Sequence, residues 1–202
     1  MSWLLWREYR LNRWILITGA VAICISSALG SLLVSFEIDD EELNAIGPAL
    51  VLVGSFLTVA LLGGNALAGE RADRSEEFIN YLPVKRSHRL ASKLLLHAIV
   101  ACVLIAVNLR MFGHLLGDLL PVATFAGGVC IALMIYCVNW LVSSLQSSPA
   151  MATISGFAMV VLLVLGGIKL GWSPTMIWLS IVTASIACFG VGTWIYLRGT
   201  NS

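Results

Sequence analysis

Six apolar runs divide the 202-residue chain, and each is long enough to cross a lipid bilayer. A helix rises about 1.5 Å per residue and the hydrocarbon core is about 30 Å thick, so one span needs roughly 20 apolar residues. The runs cover residues 14–36, 45–68, 90–112, 119–145, 150–168 and 176–197. We therefore predict six transmembrane helices, because a helix satisfies its backbone hydrogen bonds within one apolar segment.

The spans and their short connections use the whole sequence, which predicts a single all-α integral membrane domain over residues 1–202. Hydrophobic residues make up 59% of the chain and charged residues 11%, whereas soluble domains average about 25% charged residues. The remaining length excludes a soluble catalytic domain of ordinary size. The net charge of +1 gives no indication of nucleic-acid binding.

The distribution of lysine and arginine predicts the orientation, because cytoplasmic connections are enriched in these residues. If the N-terminus is cytoplasmic, ten of the 12 lysines and arginines lie inside, and only Arg110 and Lys169 lie outside. We expect a multi-pass protein of the cell (inner) membrane with both termini in the cytoplasm.

Residues 2–13, SWLLWREYRLNR, precede the first span and interleave aromatic side chains with arginines. Both residue types suit the headgroup layer of a membrane. We predict an interfacial helix over residues 2–13 that lies along the cytoplasmic surface before the first span.

Charge is concentrated between the second and third spans, where residues 69–93 read GERADRSEEFINYLPVKRSHRLASK and hold ten of the 23 charged side chains. Asp73 and Glu76 have the spacing of a capping box. Pro83 ends a helix, since the residue before proline avoids the α region. This pattern predicts a short cytoplasmic helix over about 70–82.

Phe78 and Leu82 lie four residues apart and form an apolar edge on this short helix. A protein partner on the cytoplasmic face would cover the edge. The same residues also fit a solvated loop that only connects two spans, and the residues alone leave both interpretations open.

The charges around the short helix are expected to be in contact with water or lipid headgroups. Glu70 and Arg74 are spaced as an ion pair on a solvated helix surface. Arg86, Arg89 and Lys93 fall on one helical stripe that we expect to end in the headgroup layer.

The pattern Glu … Leu-x-x-Leu-Pro-x-x-Arg … Lys, placed after the second of six spans, resembles the membrane subunits of type-2 ATP-binding-cassette (ABC) exporters. The residues that carry the resemblance are Glu70, Phe78, Leu82, Pro83, Arg86 and Lys93, with Phe78 one position before the first leucine of the pattern. A surface helix before the first span is also typical of that family, and the resemblance covers essentially the whole chain.

The resemblance implies a permease subunit that pairs with a second permease subunit, as a homodimer or heterodimer, to form the substrate pathway. It implies docking of a separate cytoplasmic ABC ATPase, which would bind ATP and Mg, through a coupling helix between spans two and three. The docking residues would be Glu70, Arg74, Glu77, Phe78, Tyr81, Leu82, Pro83 and Arg86. The alternative is a polytopic membrane anchor or regulatory partner of a cytoplasmic protein that transports nothing.

No catalytic pattern accompanies these features. The sequence contains no G-x-x-x-x-G-K-[ST] phosphate loop and no H-E-x-x-H metal motif, so we expect neither an enzyme nor a cofactor or metal in this chain. Polar side chains inside the spans are expected either to bond between helices or to line a pathway. They are Thr58, Asn65, Asn108, Asn139 and Thr153.

Overall fold

The computed structural model describes residues 2–35, 41–72, 85–116 and 122–198, and these residues form six helices and no strand. The helices are α1 (Ser2–Ser35), α2 (Glu41–Ala72), α3 (Arg86–Leu116), α4 (Val122–Leu145), α5 (Pro149–Lys169) and α6 (Pro174–Arg198). All six are long and apolar enough to cross a membrane. The prediction of a multi-pass α-helical membrane protein is confirmed at this level.

The first helix differs from the prediction of a separate surface helix over residues 2–13. α1 is one unbroken helix of 34 residues, and its membrane-length segment begins at Trp3. Residues 2–13 contain neither glycine nor proline, so nothing local breaks the helix. Leu4, Glu8 and Asn12, spaced by four, are buried, and this stripe packs the first turns of α1 onto the bundle.

Local sequence fixes the starts of α5 and α6. Each begins at the proline of a Ser-Pro pair, because proline suits the first helical position and serine suits the cap. The Ser148 hydroxyl accepts a hydrogen bond from the Met151 N–H at 3.5 Å, and the Ser173 hydroxyl accepts one from the Met176 N–H at 3.3 Å. Gly171 follows α5 with φ of 68°, a left-handed conformation that glycine adopts without strain.

Successive helices run in opposite directions, so the starts of α1, α3 and α5 lie with the ends of α2, α4 and α6. We call this end of the bundle the ionic end, because Glu8, Glu70 and Lys93 meet there. α2 and α4 form the interior, because 56% and 50% of the residues in an apolar 18-residue stretch of each helix are buried, compared with 11% for α6. The side chains at the ionic end therefore lie on helices that pack directly on the core.

Glycines allow the central helices to approach closely, which is a common packing mode in membranes. A Cβ atom at Gly63 of α2 would lie 2.9 Å from the Tyr136 carbonyl oxygen of α4. A Cβ atom at Gly192 of α6 would lie 2.7 Å from the fully buried Trp140 ring. Larger residues at these two positions would force the helices apart.

Candidate functional site: a buried ionic cluster

Four charged side chains from three helices meet at the ionic end and form the ionic cluster: Arg7, Glu8, Glu70 and Lys93. The Lys93 ammonium lies 3.1 Å from Glu8 Oε2 and 3.0 Å from Glu70 Oε1. It also donates a hydrogen bond of 2.9 Å to the Ala66 carbonyl oxygen. The Arg7 guanidinium lies 2.9 Å from Glu70 Oε1 and 3.4 Å from Glu8 Oε1.

Helical spacing explains why these residues meet. Glu8 lies on the buried stripe of α1, Glu70 lies in the last turn of α2, and Lys93 lies two turns into α3. The antiparallel arrangement brings those three positions to one level of the bundle. The cluster therefore joins the two helices that flank residues 73–84 to each other and to α1.

Among the described residues, the cluster is balanced in charge and nearly closed to solvent. Two carboxylates face one ammonium and one guanidinium, and the exposed fraction is 1% for Glu8 and 2% for Lys93. Lys93 has three N–H donors and three acceptors within hydrogen-bond distance. A charge removed from water is tolerated only when it is paired and hydrogen-bonded, so each member of the cluster depends on the others.

Two of the predicted intramembrane amides bond between helices. Asn65 of α2 donates to Asn12 Oδ1 of α1 at 2.9 Å, one turn from the ionic cluster. Asn108 of α3 donates to the Ser55 hydroxyl of α2 at 2.8 Å. Both amides thus hold α2 against a neighbouring helix.

The other three predicted polar residues lie where helices cross closely, and each bonds a carbonyl of its own helix. Thr58 is the side chain nearest to Gly19 of α1, and Thr153 of α5 is the nearest to Gly64 of α2. Asn139 of α4 faces a glycine of α5. The Thr58 and Thr153 hydroxyls and the Asn139 amide nitrogen are therefore satisfied within their own helices, which suits a tight contact, whereas Asn139 Oδ1 has no partner among the described residues.

The predicted environment of several charges is wrong. Glu70 and Lys93 were expected in contact with water or headgroups, but both are buried in the ionic cluster, and Arg89 is also buried. Glu70 bonds Arg7 and Lys93 across helices, which a pattern read within one segment does not reveal. Arg86 is the first residue of α3 and is partly exposed.

The remaining predicted docking residues lie outside the described part of the chain. They are Arg74, Glu77, Phe78, Tyr81, Leu82 and Pro83. The predicted coupling helix over 70–82 overlaps the described chain only at residues 70–72, which form the end of α2. The docking role of these residues stays a prediction.

The sequence contained a partial signal for the cluster. Glu8 shares its helical stripe with Leu4 and Asn12, so Glu8 faces the bundle if Leu4 does. Lys93 likewise stands in an apolar stretch two turns into its helix. Their pairing across 85 positions, however, depends on how the helices pack.

No protein-family model matches the chain, and no match was found among curated proteins or solved structures. The described residues define the class of protein at the level of the fold: a membrane protein with six helices long and apolar enough to span a bilayer and a buried ionic cluster at one end.

Proposed function

We propose that the chain is the permease subunit of an ATP-driven exporter and that a separate cytoplasmic ATPase docks on residues 73–84. Two such subunits form the substrate pathway. In this proposal the ionic end faces the cytoplasm, which agrees with the excess of lysine and arginine there.

The observation that carries the proposal is the bridge from Glu70 to Lys93. These residues flank the segment 73–84 on α2 and α3, and their charged groups lie 3.0 Å apart. A displacement of the segment would move α2 and α3 together, because the ion pair joins these two helices. Glu8 and Arg7 also connect them to α1. A segment that only links two spans has no need of such rigid attachment.

A second contact extends the attachment toward the core. Arg71, the residue after Glu70, donates hydrogen bonds to the Ser144 carbonyl oxygen at 2.8 Å and the Gln146 carbonyl oxygen at 3.4 Å. These acceptors lie at the end of α4, which packs on α2, α5 and α6. Movement at the end of α2 would therefore be passed to the interior helix of the bundle.

The test is copurification with the ATPase after Phe78→Ala combined with Leu82→Ala. Truncating a buried interface anchor costs about 2 kcal/mol or more, and the two together should weaken binding well beyond roughly thirtyfold. The ATPase should be lost while membrane insertion and protein level stay at parental values.

A matched control is Phe157→Ala combined with Leu162→Ala. It removes the same two residue types from the exposed surface of α5, away from the segment 73–84, and should leave ATPase recovery unchanged. If the segment variant still recovers its ATPase at parental yield, the permease proposal fails and a membrane anchor without transport becomes the better account.

A further inference from the structure

A cavity of about 830 Å³ opens between α3 on one side and α4 and α6 on the other, with α2 behind it. α3 packs on α1 and α2, where Leu104 contacts Ile23 and Val51. It meets α4 through a hydrogen bond of 2.7 Å between His97 and Tyr136. The volume lies in the range of small-molecule sites, about 300–1,000 Å³.

The cavity walls are almost entirely apolar, with polar groups at two separate places. Ser55 and Asn108 form one polar place, and His97 and Tyr136 form the other. Ser185 also lines the cavity, but its hydroxyl donates to a carbonyl of its own helix. No charged side chain of the described residues lines it.

The two polar places lie on one face of α3. His97 and Asn108 are eleven residues apart, which is close to three full turns and about 16 Å along the axis. A ligand that reaches both must therefore be elongated, with an apolar body between its polar groups.

Each place holds a buried polar atom without a partner among the described residues: Asn108 Oδ1 and His97 Nε2. Both side chains are 6% exposed. The Asn108 amide nitrogen donates to the Ser55 hydroxyl and the Leu104 carbonyl oxygen, which leaves Oδ1 as the unpaired acceptor. An unpaired buried polar atom is costly, so a small side-chain rotation that brings either atom to a ligand group in the cavity would lower the free energy.

The hydrogen bond between His97 and Tyr136 determines the role of the unpaired His97 Nε2 atom. Tyr136 has one hydroxyl proton, and the His97 Nδ1 atom is its hydrogen-bond partner. In the tautomer in which the Tyr136 hydroxyl donates to His97 Nδ1, Nε2 carries the ring proton and is a hydrogen-bond donor.

We propose that this cavity binds an uncharged, elongated amphiphile with a hydrogen-bond donor at one end, for Asn108, and an acceptor about 16 Å away, for His97. A charged group is disfavoured because nothing in the cavity would pair with it. An ordinary acyl chain fills the apolar walls but satisfies neither polar atom. The site lies within one chain and does not depend on the proposed ATPase partner.

The test uses the full chain in lipid nanodiscs and three photoreactive probes of equal length with a mid-chain diazirine. The first is an ω-hydroxy methyl ester, the second the plain methyl ester, and the third the ω-hydroxy carboxylate. The hydroxy ester should half-saturate labelling of α3, α4 or α6 at about tenfold lower concentration than either other probe. A difference in affinity of about tenfold is expected when one hydrogen bond is not made.

Two variants assign the labelling to the cavity. Asn108→Leu should remove the advantage of the hydroxy ester over the plain ester. Ala101→Trp adds bulk at a cavity-lining position and should abolish hydroxy-ester labelling, whereas Val103→Trp on the exposed side of α3 should not. Equal elution and thermal stability in detergent establish that each variant is folded.

Equal labelling of the parent by the hydroxy ester and the plain ester would overturn the proposal, because it indicates only filling by lipid-like chains. Labelling of Ala101→Trp at the parental level, or adducts confined to other helices, would also overturn it. If Asn108→Leu does not fold, the probe comparison on the parent and the two tryptophan variants still decide. None of these outcomes bears on ATPase docking.

Discussion

Replacing Lys93 with methionine should destabilise the bundle strongly, because the change keeps an apolar stem but removes the charge that two helices share. Arg7 would then be the cation that the described part of the cluster retains beside Glu8 and Glu70, and the Ala66 carbonyl oxygen would lose the Lys93 donor. Breaking a buried ion pair by removing one partner costs about 3–5 kcal/mol.

The assay is thermal unfolding of the purified protein in detergent. For a chain of this size each kcal/mol lowers Tm by about 2–4 °C, so Lys93→Met should lower Tm by about 6–20 °C. Lys169→Met is the matched control, since Lys169 is an exposed lysine at the end of α5. An exposed charge contributes at most about 1 kcal/mol.

A second variant tests the physical reason for the loss. Lys93→Met combined with Glu8→Gln restores the charge balance, leaving Arg7 paired with Glu70, and should recover much of the lost stability. If Lys93→Met lowers Tm no more than Lys169→Met does, or if the double variant is less stable than the single one, the cluster does not stabilise the bundle as argued.

Three further predictions follow from the packing and the orientation. Gly63→Ala should lower Tm, since overpacking costs about 1–3 kcal/mol, whereas Gly166→Ala, with nothing within 4 Å of its new Cβ, should not; equal responses would contradict the close approach of α2 and α4. In a cysteine-free background, an impermeant thiol reagent should label Ser173→Cys in intact cells but Ser147→Cys only after permeabilisation, and the reverse result would invert the topology. The purified chain alone should hydrolyse no ATP in a phosphate-release assay, and robust hydrolysis would contradict a separate ATPase.

The six membrane-length helices of the described residues were predictable from the sequence, because the bilayer sets the length of a span and tertiary contacts do not. The Ser-Pro starts of α5 and α6 were equally local. The first turns of α1 were harder to predict, since their aromatic and arginine residues suit a membrane surface. Their continuity with the rest of α1 depends on a buried stripe, and the packing of α1 on α2 determines that stripe.

The ionic cluster was the main feature that the sequence did not predict. Solvation of Glu70 was inferred from its charged neighbours along the chain, but Arg7 of α1 and Lys93 of α3 pair with it inside the bundle. Pairing between distant helices depends on the rotation of each helix about its axis, which the spacing of one span does not determine. The same limit applies to the cavity, whose polar atoms are recognised only when three helices are assembled around them.

Photocrosslinking from position 78 tests the central claim most directly. A photoreactive amino acid replaces Phe78 in cells, and the covalent adducts are identified by mass spectrometry. The same amino acid at Leu162, on the exposed surface of α5, is the control. The account predicts an adduct with a polypeptide that carries a G-x-x-x-x-G-K-[ST] loop, formed from position 78 and not from position 162. Adducts with lipid alone, or with partners that lack this loop, would contradict it.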